Sequence, residues 1–230
     1  MIYVLSDIHG NERRLDSVLR QIELKPEDTL CVLGDVIDRY PGGISILRRL
    51  MGMPNVRMIR GNHEYMMLRA LGRPYDNYAD NGTALDHWYR NGGKVTHDHL
   101  KRLPGEVQEE IVAYLRSLPL TMDISVGGAA YKLVHGAAPE DFDHDPRYQN
   151  PIHFAVWKRL ELSDPAPEGF TLVFGHTPTR YYQDSVPMEI WRDRNRIGID
   201  CGCGYPEESG VRGRLCCLRL EDGKVFYSEE

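Results

Sequence analysis

Residues 2–10 of the chain read IYVLSDIHG, and residues 29–39 read TLCVLGDVIDR. Each stretch is a short apolar run that ends in a polar turn containing aspartate and glycine. Between them, residues 11–22 carry apolar side chains at helical spacing, at Leu15, Val18, Leu19 and Ile22. A strand, a helix and a strand, joined by connections too long for a hairpin, predict a βαβ unit and hence a parallel sheet.

The alternation of strands and helices continues to about residue 71. We predict helices at 44–51 and 63–71, with a strand at 56–59 between them. Residues 76–118 are predicted to be largely helical. Two dipeptides that favour turns should divide this region, Asn81-Gly82 and Asn91-Gly92.

The second half of the chain has a different pattern. Gly127-Gly128 separates two apolar runs and predicts a hairpin of Thr121–Val126 and Ala129–Val134. Further strands are predicted at Thr171–Phe174, 186–190, 196–199, 215–220 and 224–227. We therefore expect the second half to be richer in antiparallel strands. One α/β domain over residues 1–230, with two sheets facing each other, is the simplest arrangement.

The composition excludes several classes of protein. Asp and Glu total 34 against 28 Lys and Arg, so the formal net charge is −6, which disfavours a nucleic-acid partner. No apolar run reaches the roughly 18 to 20 residues that span a bilayer, so no membrane partner is expected. The N-terminus lacks the features of a secretion signal, and the five cysteines are an odd number. These features predict a cytoplasmic protein.

The cysteines allow one alternative to ordinary buried thiols. Cys201, Cys203, Cys216 and Cys217 could together hold zinc. However, the C-x-C pair lacks the usual C-x₂-C spacing, and Cys31 and the pair at 216–217 stand in apolar runs. Structural thiols are therefore the favoured interpretation.

Five turns, each after an apolar run, contain most of the residues suited to chemistry. They lie at 6–10, 34–39, 61–64, 134–136 and 175–177. One such turn alone is weak support for a site, because a lone histidine after a strand is more often structural. Five in succession, each offering Asp, Asn or His, are a strong signal, since ligands bind at the carboxyl ends of strands in α/β sheets.

Six side chains in these turns can bind transition metals: Asp7, His9, Asp35, Asn62, His135 and His176. Asp7 and His9 are two residues apart on an extended turn, so both can face one ion. Asp35 is placed to bridge two ions through its two oxygens. Oxygen and nitrogen ligands together suit Mn, Fe, Zn or Co better than Ca or Mg, and we predict two Mn²⁺ ions. Two such ions would supply a bridging hydroxide at neutral pH, which points to phosphoester hydrolysis.

The remaining polar residues of the turns match other needs of that reaction. His63 is adjacent to Asn62 and should point away from it, as a free general acid that Asp38 orients and keeps protonated. Arg39 can bind two phosphate oxygens through its guanidinium. Arg159 is the candidate for a second arginine, and by chemistry alone a solvated surface charge is an equal alternative.

In this order the turns resemble the signature of the phosphoprotein-phosphatase superfamily of binuclear metallophosphoesterases. Its motifs are GDxHG, GDxxDRG, GNHE, a later HG or HA, and GHT. The chain is most similar to the branch that contains the phage lambda phosphatase and its bacterial relatives. The similarity runs from residue 2 to about 220 and includes three further segments: His87-Trp88 with Asn91-Gly92-Gly93, Trp157-Lys158-Arg159, and Ile199-Asp200-Cys201-Gly202.

The resemblance implies a calcineurin-like metallophosphoesterase domain with a four-layer α/β/β/α sandwich. It assigns Asp7, His9 and Asp35 to the first metal. The second metal would be held by Asp35, Asn62, His135 and His176. It also implies that His63 is the acid supported by Asp38, and that Arg39 and Arg159 bind the phosphate.

Four features depart from the family pattern without removing a ligand. Ser6 replaces the first glycine, Ala137 a second glycine and Cys201 a threonine. Tyr40-Pro41 stands where glycine normally follows the arginine, so a bulky ring lies beside the phosphate position and could shape the mouth of the pocket.

The predicted function is a metal-dependent phosphatase of Ser/Thr phosphoproteins, with phosphotyrosine left open. The alternative is symmetrical hydrolysis of diadenosine tetraphosphate to two ADP, which bacterial relatives perform with the same site. An inactive metal-bound binding module is disfavoured because the set of reactive groups is complete. A nuclease is disfavoured because no basic strip with interleaved aromatic residues is present.

Overall fold

The computed structural model describes residues 1–71, 81–184, 186 and 188–229, without the side chains of 81, 82 and 207. Its first sheet is built on three parallel strands, as predicted: β1 (Ile2–Leu5), β2 (Thr29–Val32) and β3 (Val56–Met58). Two C-terminal strands extend this sheet in antiparallel pairing, β9 (Cys216–Arg219) beside β1 and β10 (Val225–Tyr227) at the edge. The strand order is therefore β10-β9-β1-β2-β3.

Helices connect these parallel strands. α1 (Glu12–Ile22) begins after Asn11, whose side chain accepts a hydrogen bond from the Arg14 N–H and caps the helix. α2 (Gly43–Met51) returns the chain to β3, and α3 (Asn62–Ala70) follows β3 directly. Apolar residues on one face of each helix are buried against the first sheet.

The second sheet has the order β4-β5-β6-β8-β7. β4 (Thr121–Val126) and β5 (Ala129–Val134) form the predicted hairpin, and both glycines between them have positive φ angles. β6 (Thr171–Phe174) and β8 (Arg196–Gly198) continue the sheet in parallel to β5. The expectation that the second half is richer in antiparallel strands is confirmed by the β4–β5 hairpin and by both pairings of β9, whereas the centre of this sheet is parallel because the connections there are too long for hairpins.

The strand predicted at 186–190 was wrong. The edge strand β7 lies at Trp191–Asp193, residues 186, 188 and 189 form turns and bends, and residue 190 has no regular structure. The predicted run contains a proline at 187, which lies outside the described residues and cannot donate a hydrogen bond to a neighbouring strand.

The middle of the chain is helical, as predicted. α4 (Asn81–Arg90), α5 (Lys94–Leu100) and α6 (Gly105–Ser117) follow one another, and the break at Asn91-Gly92 separates the first two. Asn81-Gly82 forms the first turn of the described helix, and the predicted part at 76–80 lies outside the described residues. The sequence reasoning missed α7 (Pro151–Trp157), which Asn150 caps through the His153 N–H.

The hydrophobic core is continuous between the two sheets. Val4 and Cys31 of the first sheet belong to one buried cluster with Leu133 and Val173 of the second. Residues on the opposite face of the first sheet, such as Leu5, pack against the helices. Helices therefore cover two mixed sheets that face each other, which is the predicted α/β sandwich. No helix of the described residues is both long and apolar enough to cross a membrane.

Candidate metal centre

The predicted site residues lie where strands of both sheets end. Asp7 follows β1 and Asp35 follows β2 in the first sheet, whereas His135 follows β5 and His176 follows β6 in the second. The His176 N–H donates a hydrogen bond to Asp7 Oδ2 at 3.0 Å, which joins turns that are 169 residues apart in the chain. The two sheets therefore present the carboxyl ends of their parallel strands at one edge, as the α/β rule predicts.

The backbone of these turns is strained. Residues with a Cβ rarely adopt the left-handed conformation, which costs about 1 kcal/mol or more for each of them. Such residues cluster at functional sites, where the surrounding fold enforces the conformation. Six predicted site residues adopt it, with φ of 56° at Asp7, 50° at His9, 53° at Asp35, 73° at Asp38, 69° at Arg39 and 62° at His176.

Asp35 lies between two groups of imidazoles. Its Oδ2 is 3.8 Å from His9 Nε2 and 3.8 Å from His63 Nε2, whereas its Oδ1 is 3.4 Å from His135 Nε2. The buried side chains form two groups, and within each group the ligand atoms lie within 4.8 Å of one another. The first group is His9, Asp35 and His63, and the second is Asp35, His135 and His176. A carboxylate shared by both groups has the placement that a bridging ligand needs.

Asn62 and two histidines converge on the second of these groups. Asn62 Oδ1 lies 2.8 Å from His135 Nε2 and 2.8 Å from His176 Nδ1. The other ring nitrogen of His135, Nδ1, donates to the carbonyl of Leu33 at 2.6 Å, so Nε2 carries a lone pair toward the site. Metal-binding histidines are commonly fixed in this way. Two acceptors, Asn62 Oδ1 and His135 Nε2, therefore face each other, and a bound cation would relieve their repulsion.

Asp7 stands beside the first group but outside it. Its Oδ1 is 3.9 Å from His9 Nε2, and its Oδ2 accepts hydrogen bonds from Ser6 Oγ and the His176 N–H. The residue grouped with His9 and Asp35 is instead His63, which was predicted to be the acid rather than a ligand. Ser6, in the place of the family glycine, orients Asp7 through its hydroxyl.

Burial raises the pKa of the carboxyls in this centre. It raises the pKa of Asp7 to about 6, although the charge of His135 opposes the change, and the pKa of Asp35 to about 7, although His63 opposes it. Burial, and then the charge of Asp7, also raise the pKa of Asp200 to about 7. Buried carboxylates are costly without a compensating charge, which divalent cations would provide. The donor atoms and the buried charge therefore both fit two divalent metal ions.

Metal binding should depend on pH, because an ion has to displace protons from these carboxyls. With pKa values of about 6 for Asp7 and about 7 for Asp35, both are mainly ionised near pH 7.5 and mainly protonated near pH 5.5. We expect the affinity for Mn²⁺ to fall by about 10- to 100-fold between these two pH values. Isothermal titration calorimetry in buffers of different ionisation enthalpy measures the affinity and the protons released, and an affinity independent of pH would contradict this expectation.

His63 and Asp38 form a buried pair. His63 Nδ1 lies 2.7 Å from Asp38 Oδ2, which also accepts a hydrogen bond from Trp88 Nε1 at 2.8 Å. The Asp38 N–H donates to Thr96 Oγ1 at 2.9 Å, so α5 helps to hold the turn. These contacts leave His63 Nε2 directed toward Asp35 and Arg39, which is the orientation required of a proton donor at this centre.

The protonation of this pair differs from the expectation that Asp38 favours the imidazolium form. Burial is the larger effect: it lowers the pKa of His63 to about 4, although Asp35 opposes the change, and it raises the pKa of Asp38 to about 7. In the metal-free protein the uncharged forms of both side chains are therefore favoured between about pH 4 and pH 7. The negative charge of a phosphate group bound beside His63 would raise its pKa again.

The two predicted phosphate arginines occupy different places. Arg39 is exposed, and its Nη2 lies 3.4 Å from His63 Nε2, so its guanidinium borders the buried centre. Arg159 is also exposed and lies over the ring of Tyr181, with Cζ 5.9 Å from the ring centroid. Burial, the charge of His135 and then that of Arg159 lower the pKa of His176. Arg159 therefore stands at the rim, near the second group of ligands.

Sequence reasoning assigned no role to Glu64. This residue is fully buried, and its carboxylate accepts hydrogen bonds from the Asp35 N–H at 2.8 Å, the Val36 N–H at 2.9 Å and the Gly61 N–H at 3.0 Å. It therefore fastens the turn after β2 to the turn after β3. The sequence feature that could have identified Glu64 is its position as the third residue of α3, where a glutamate can cap the helix.

Trp157 is the second residue without a predicted role. It lies at the end of α7, and its ring meets the ring of His176 edge-on, with centroids 5.8 Å apart. On its other side it stacks on His87 of α4. His176 is therefore held by the Trp157 ring as well as by its contact with Asn62, and the ring contact depends on the packing of α7 and could not be inferred from spacing.

Tyr40, the departure beside the arginine, connects two loops. Its hydroxyl donates to the carbonyl of Tyr205 at 2.9 Å. The loop at 203–205 lies against the site, because a Cβ on Gly204 would be 2.6 Å from Arg39 Nη1 and 2.2 Å from His9 Cδ2. The Tyr40 hydroxyl thus holds this loop against the guanidinium of Arg39.

We expect Tyr40→Phe to raise the KM for an aryl phosphate by about 3- to 5-fold with little change in kcat, since one hydrogen bond that positions Arg39 is lost. Gly204→Ala should raise KM further and also lower metal content, because the added methyl group would meet both the His9 ring and the Arg39 guanidinium. Steady-state kinetics of both variants test this, and a Tyr40→Phe variant with an unchanged KM would show that the contact does not position the arginine.

The five cysteines are free and buried. Cys203 Sγ donates to the carbonyl of Ile8 at 3.3 Å and Cys216 Sγ to that of Ile199 at 3.1 Å. Burial raises the pKa of Cys203 to about 12 and keeps its thiol protonated. They are therefore structural thiols rather than a zinc site.

A model of the calcineurin-like phosphoesterase family matches residues 1–201 of the chain. The serine/threonine-protein phosphatase 2 of Salmonella typhimurium is 28% identical over 209 aligned positions, which cover 87% of both chains. The symmetrical bis(5'-nucleosyl)-tetraphosphatase of Cronobacter sakazakii is 31% identical over 277 positions, covering 97% of this chain and 92% of that protein.

Solved structures show the same fold. A protein serine/threonine phosphatase from Saccharomyces cerevisiae superposes with a TM-score of 0.61 at 15% identity, covering 100% of this chain and 79% of that one. A metallophosphoesterase from Sphaerobacter thermophilus superposes with a TM-score of 0.59 at 20% identity, covering 99% and 87%.

Proposed function

Since the chain belongs to the calcineurin-like phosphoesterase family, we propose that it is a metal-dependent phosphatase of Ser/Thr phosphoproteins. The observation that carries the proposal is the position of Asp35, which faces His9 and His63 with one oxygen and His135 with the other. Arg39, the candidate phosphate ligand, lies beside His63 at the exposed side of this centre.

Six residues would hold two divalent ions, Mn²⁺ in the first instance: Asp7, His9, Asp35, Asn62, His135 and His176. When bound, the ions activate water at neutral pH and neutralise charge on the phosphoryl group. Asp7 and Asp35 contribute the negative charge of the site, and the neutral imidazoles contribute lone pairs. Glu64 keeps the turns of Asp35 and Asn62 in register through its three hydrogen bonds.

The other residues bind the substrate and move a proton. Arg39 would bind two phosphate oxygens and hold the scissile bond near His63. Water adds its oxygen to phosphorus and releases one proton to solvent while the bond to the seryl or threonyl oxygen breaks, and His63 Nε2 gives its proton to that leaving oxygen. Asp38 orients the imidazole through Nδ1 and stabilises its charged form when the phosphate is bound. Arg159 would bind a further phosphate oxygen from the rim.

A second candidate function is symmetrical hydrolysis of a dinucleoside tetraphosphate, because a relative of that name is 31% identical over nearly the whole chain. We favour the phosphoprotein because the alignment to the protein phosphatase is compact and covers 87% of both chains, whereas a tetraphosphatase that aligns as compactly, over 194 positions, is covered to only 62% of its length. The alignment to the Cronobacter sakazakii tetraphosphatase has 277 positions although this chain has 230 residues, so the relative carries insertions that this chain lacks. The alignment to the protein phosphatase is compact, with 209 positions.

The deciding experiment compares kcat/KM for a phosphoserine peptide, a phosphotyrosine peptide and diadenosine tetraphosphate, with Mn²⁺ present. The proposal expects the phosphoserine peptide to be hydrolysed most efficiently. A clear preference for the dinucleotide would replace the first function by the second. We further propose that residues 1–230 act as one domain and that the free cysteines reflect a reducing, cytoplasmic location.

A further inference from the structure

A groove of about 630 Å³ lies between the loop of Arg39 and α5. We call it the α5 groove, and its charged lining residues are Arg39, Lys94, Asp98 and Arg102. Its volume is within the range of known ligand pockets. The proposed reaction uses Arg39 but none of the other three residues.

The groove is positively charged on an acidic chain. Its carboxylate, Asp98, is paired with Lys94 and with Lys101, the latter at 3.0 Å. These two partners lower the pKa of Asp98 to about 2, so the carboxylate is already compensated. Arg39, Lys94 and Arg102 therefore leave a local excess of positive charge, although the chain as a whole carries −6. Such an excess attracts an anionic ligand.

The groove adjoins the candidate metal centre through Arg39. The Arg39 N–H donates to the carbonyl of Gly92, which also lines the groove, at 3.2 Å. The guanidinium of the same residue lies 3.4 Å from His63 on the other side. A substrate whose phosphate binds at Arg39 would therefore continue into the groove.

We propose that the α5 groove binds the acidic side chains that flank the phosphorylated residue of a peptide substrate. This inference rests on the proposed phosphatase function and specifies its substrate class. The cations would pair with the carboxylates, while Val95 and Leu103, which also line the groove, would contact the aliphatic parts of the peptide.

The test uses two phosphoserine peptides of equal length, one with Asp and Glu and the other with Asn and Gln around the phosphoserine, with Mn²⁺ in excess. We expect kcat/KM to be about tenfold higher for the acidic peptide, because two or three partly exposed ion pairs each contribute a few-fold. The double variant Lys94→Gln with Arg102→Gln should reduce this ratio to about twofold or less. Both side chains are exposed, so their replacement leaves the core intact.

Lys101→Gln is the matched control. Lys101 is on the same helix and pairs with the same carboxylate as Lys94, but it does not line the groove. This variant should keep the tenfold ratio. Equal kcat/KM for both peptides, or an equal loss of the ratio in Lys101→Gln, would overturn the proposal. Dependence on Lys94 and Arg102 seen only with diadenosine tetraphosphate would overturn it in favour of a polyphosphate subsite. If an aryl phosphate is hydrolysed and neither peptide is, the phosphoprotein function itself fails.

Discussion

Asp35→Ala is expected to abolish metal binding and to lower kcat/KM by about four orders of magnitude or more. The reason is geometric, since the carboxylate faces His9 and His63 with Oδ2 and His135 with Oδ1. Its removal takes a ligand from both groups at once, which no other substitution in the centre does. Metal content after dialysis, measured by plasma mass spectrometry, and turnover of an aryl phosphate with added Mn²⁺ provide the readouts.

Unfolding of the Asp35→Ala variant would also abolish activity, and it has to be distinguished from loss of the metal ligand. Circular dichroism and thermal melting of the metal-free proteins show whether the variant is folded, and removal of a costly buried carboxyl should not unfold it. Asp16→Ala is the control, because Asp16 is a half-exposed aspartate of α1 paired with Arg49. It should bind metal and turn over like the parent. Normal turnover by a folded Asp35→Ala protein would end the two-metal mechanism.

His63→Asn is expected to lower kcat by about two to four orders of magnitude while metal content is retained. The asparagine amide places a polar group near the position of the histidine Nδ1, but it cannot give a proton to the leaving oxygen. The loss should be larger for phenyl phosphate than for p-nitrophenyl phosphate, because a good leaving group needs little protonation. This dependence on the leaving group distinguishes an acid from a metal ligand, and the distinction matters because the structure places His63 Nε2 within reach of His9 and Asp35.

Two further variants serve as comparisons for His63→Asn. Asp38→Asn should reduce kcat in the same direction but less, since it removes only the group that orients His63. His144→Asn, at an exposed position outside the site, should behave like the parent. If His63→Asn loses metal together with activity and shows the same loss for both aryl phosphates, then His63 is a ligand rather than the acid.

The first sheet could be predicted because its strands are buried on both faces. In β1, Val4 faces the second sheet while Tyr3 and Leu5 face the helices, so the strand has an unbroken apolar run. The strand at 186–190 was predicted from the same kind of run, but burial constrains the sequence of an edge strand less. Its true position, Trp191–Asp193, is set by its pairing with β8.

The candidate site was predicted as a set of positions, because aspartate, asparagine and histidine after apolar runs identify strand ends. Its connections could not be predicted in this way. The bond from Trp88 to Asp38, or from Glu64 to the Asp35 N–H, joins residues that are brought together only by the packing of helices and turns. The lowered pKa of His63 could not be predicted from the sequence either, since its largest cause is burial of the side chain rather than a neighbouring residue.

The sequence by itself determined the parallel βαβ arrangement and the order of the reactive turns, because both depend on local patterns of apolar and polar residues. Only the tertiary structure decided that Asp35 faces two groups of histidines and that six of the site residues adopt left-handed backbone. It also decided that Arg39 lies between the candidate metal centre and the α5 groove. The physical reason is that these properties arise from contacts between residues far apart in the chain and from the burial that those contacts produce. Neither has a local pattern in the sequence.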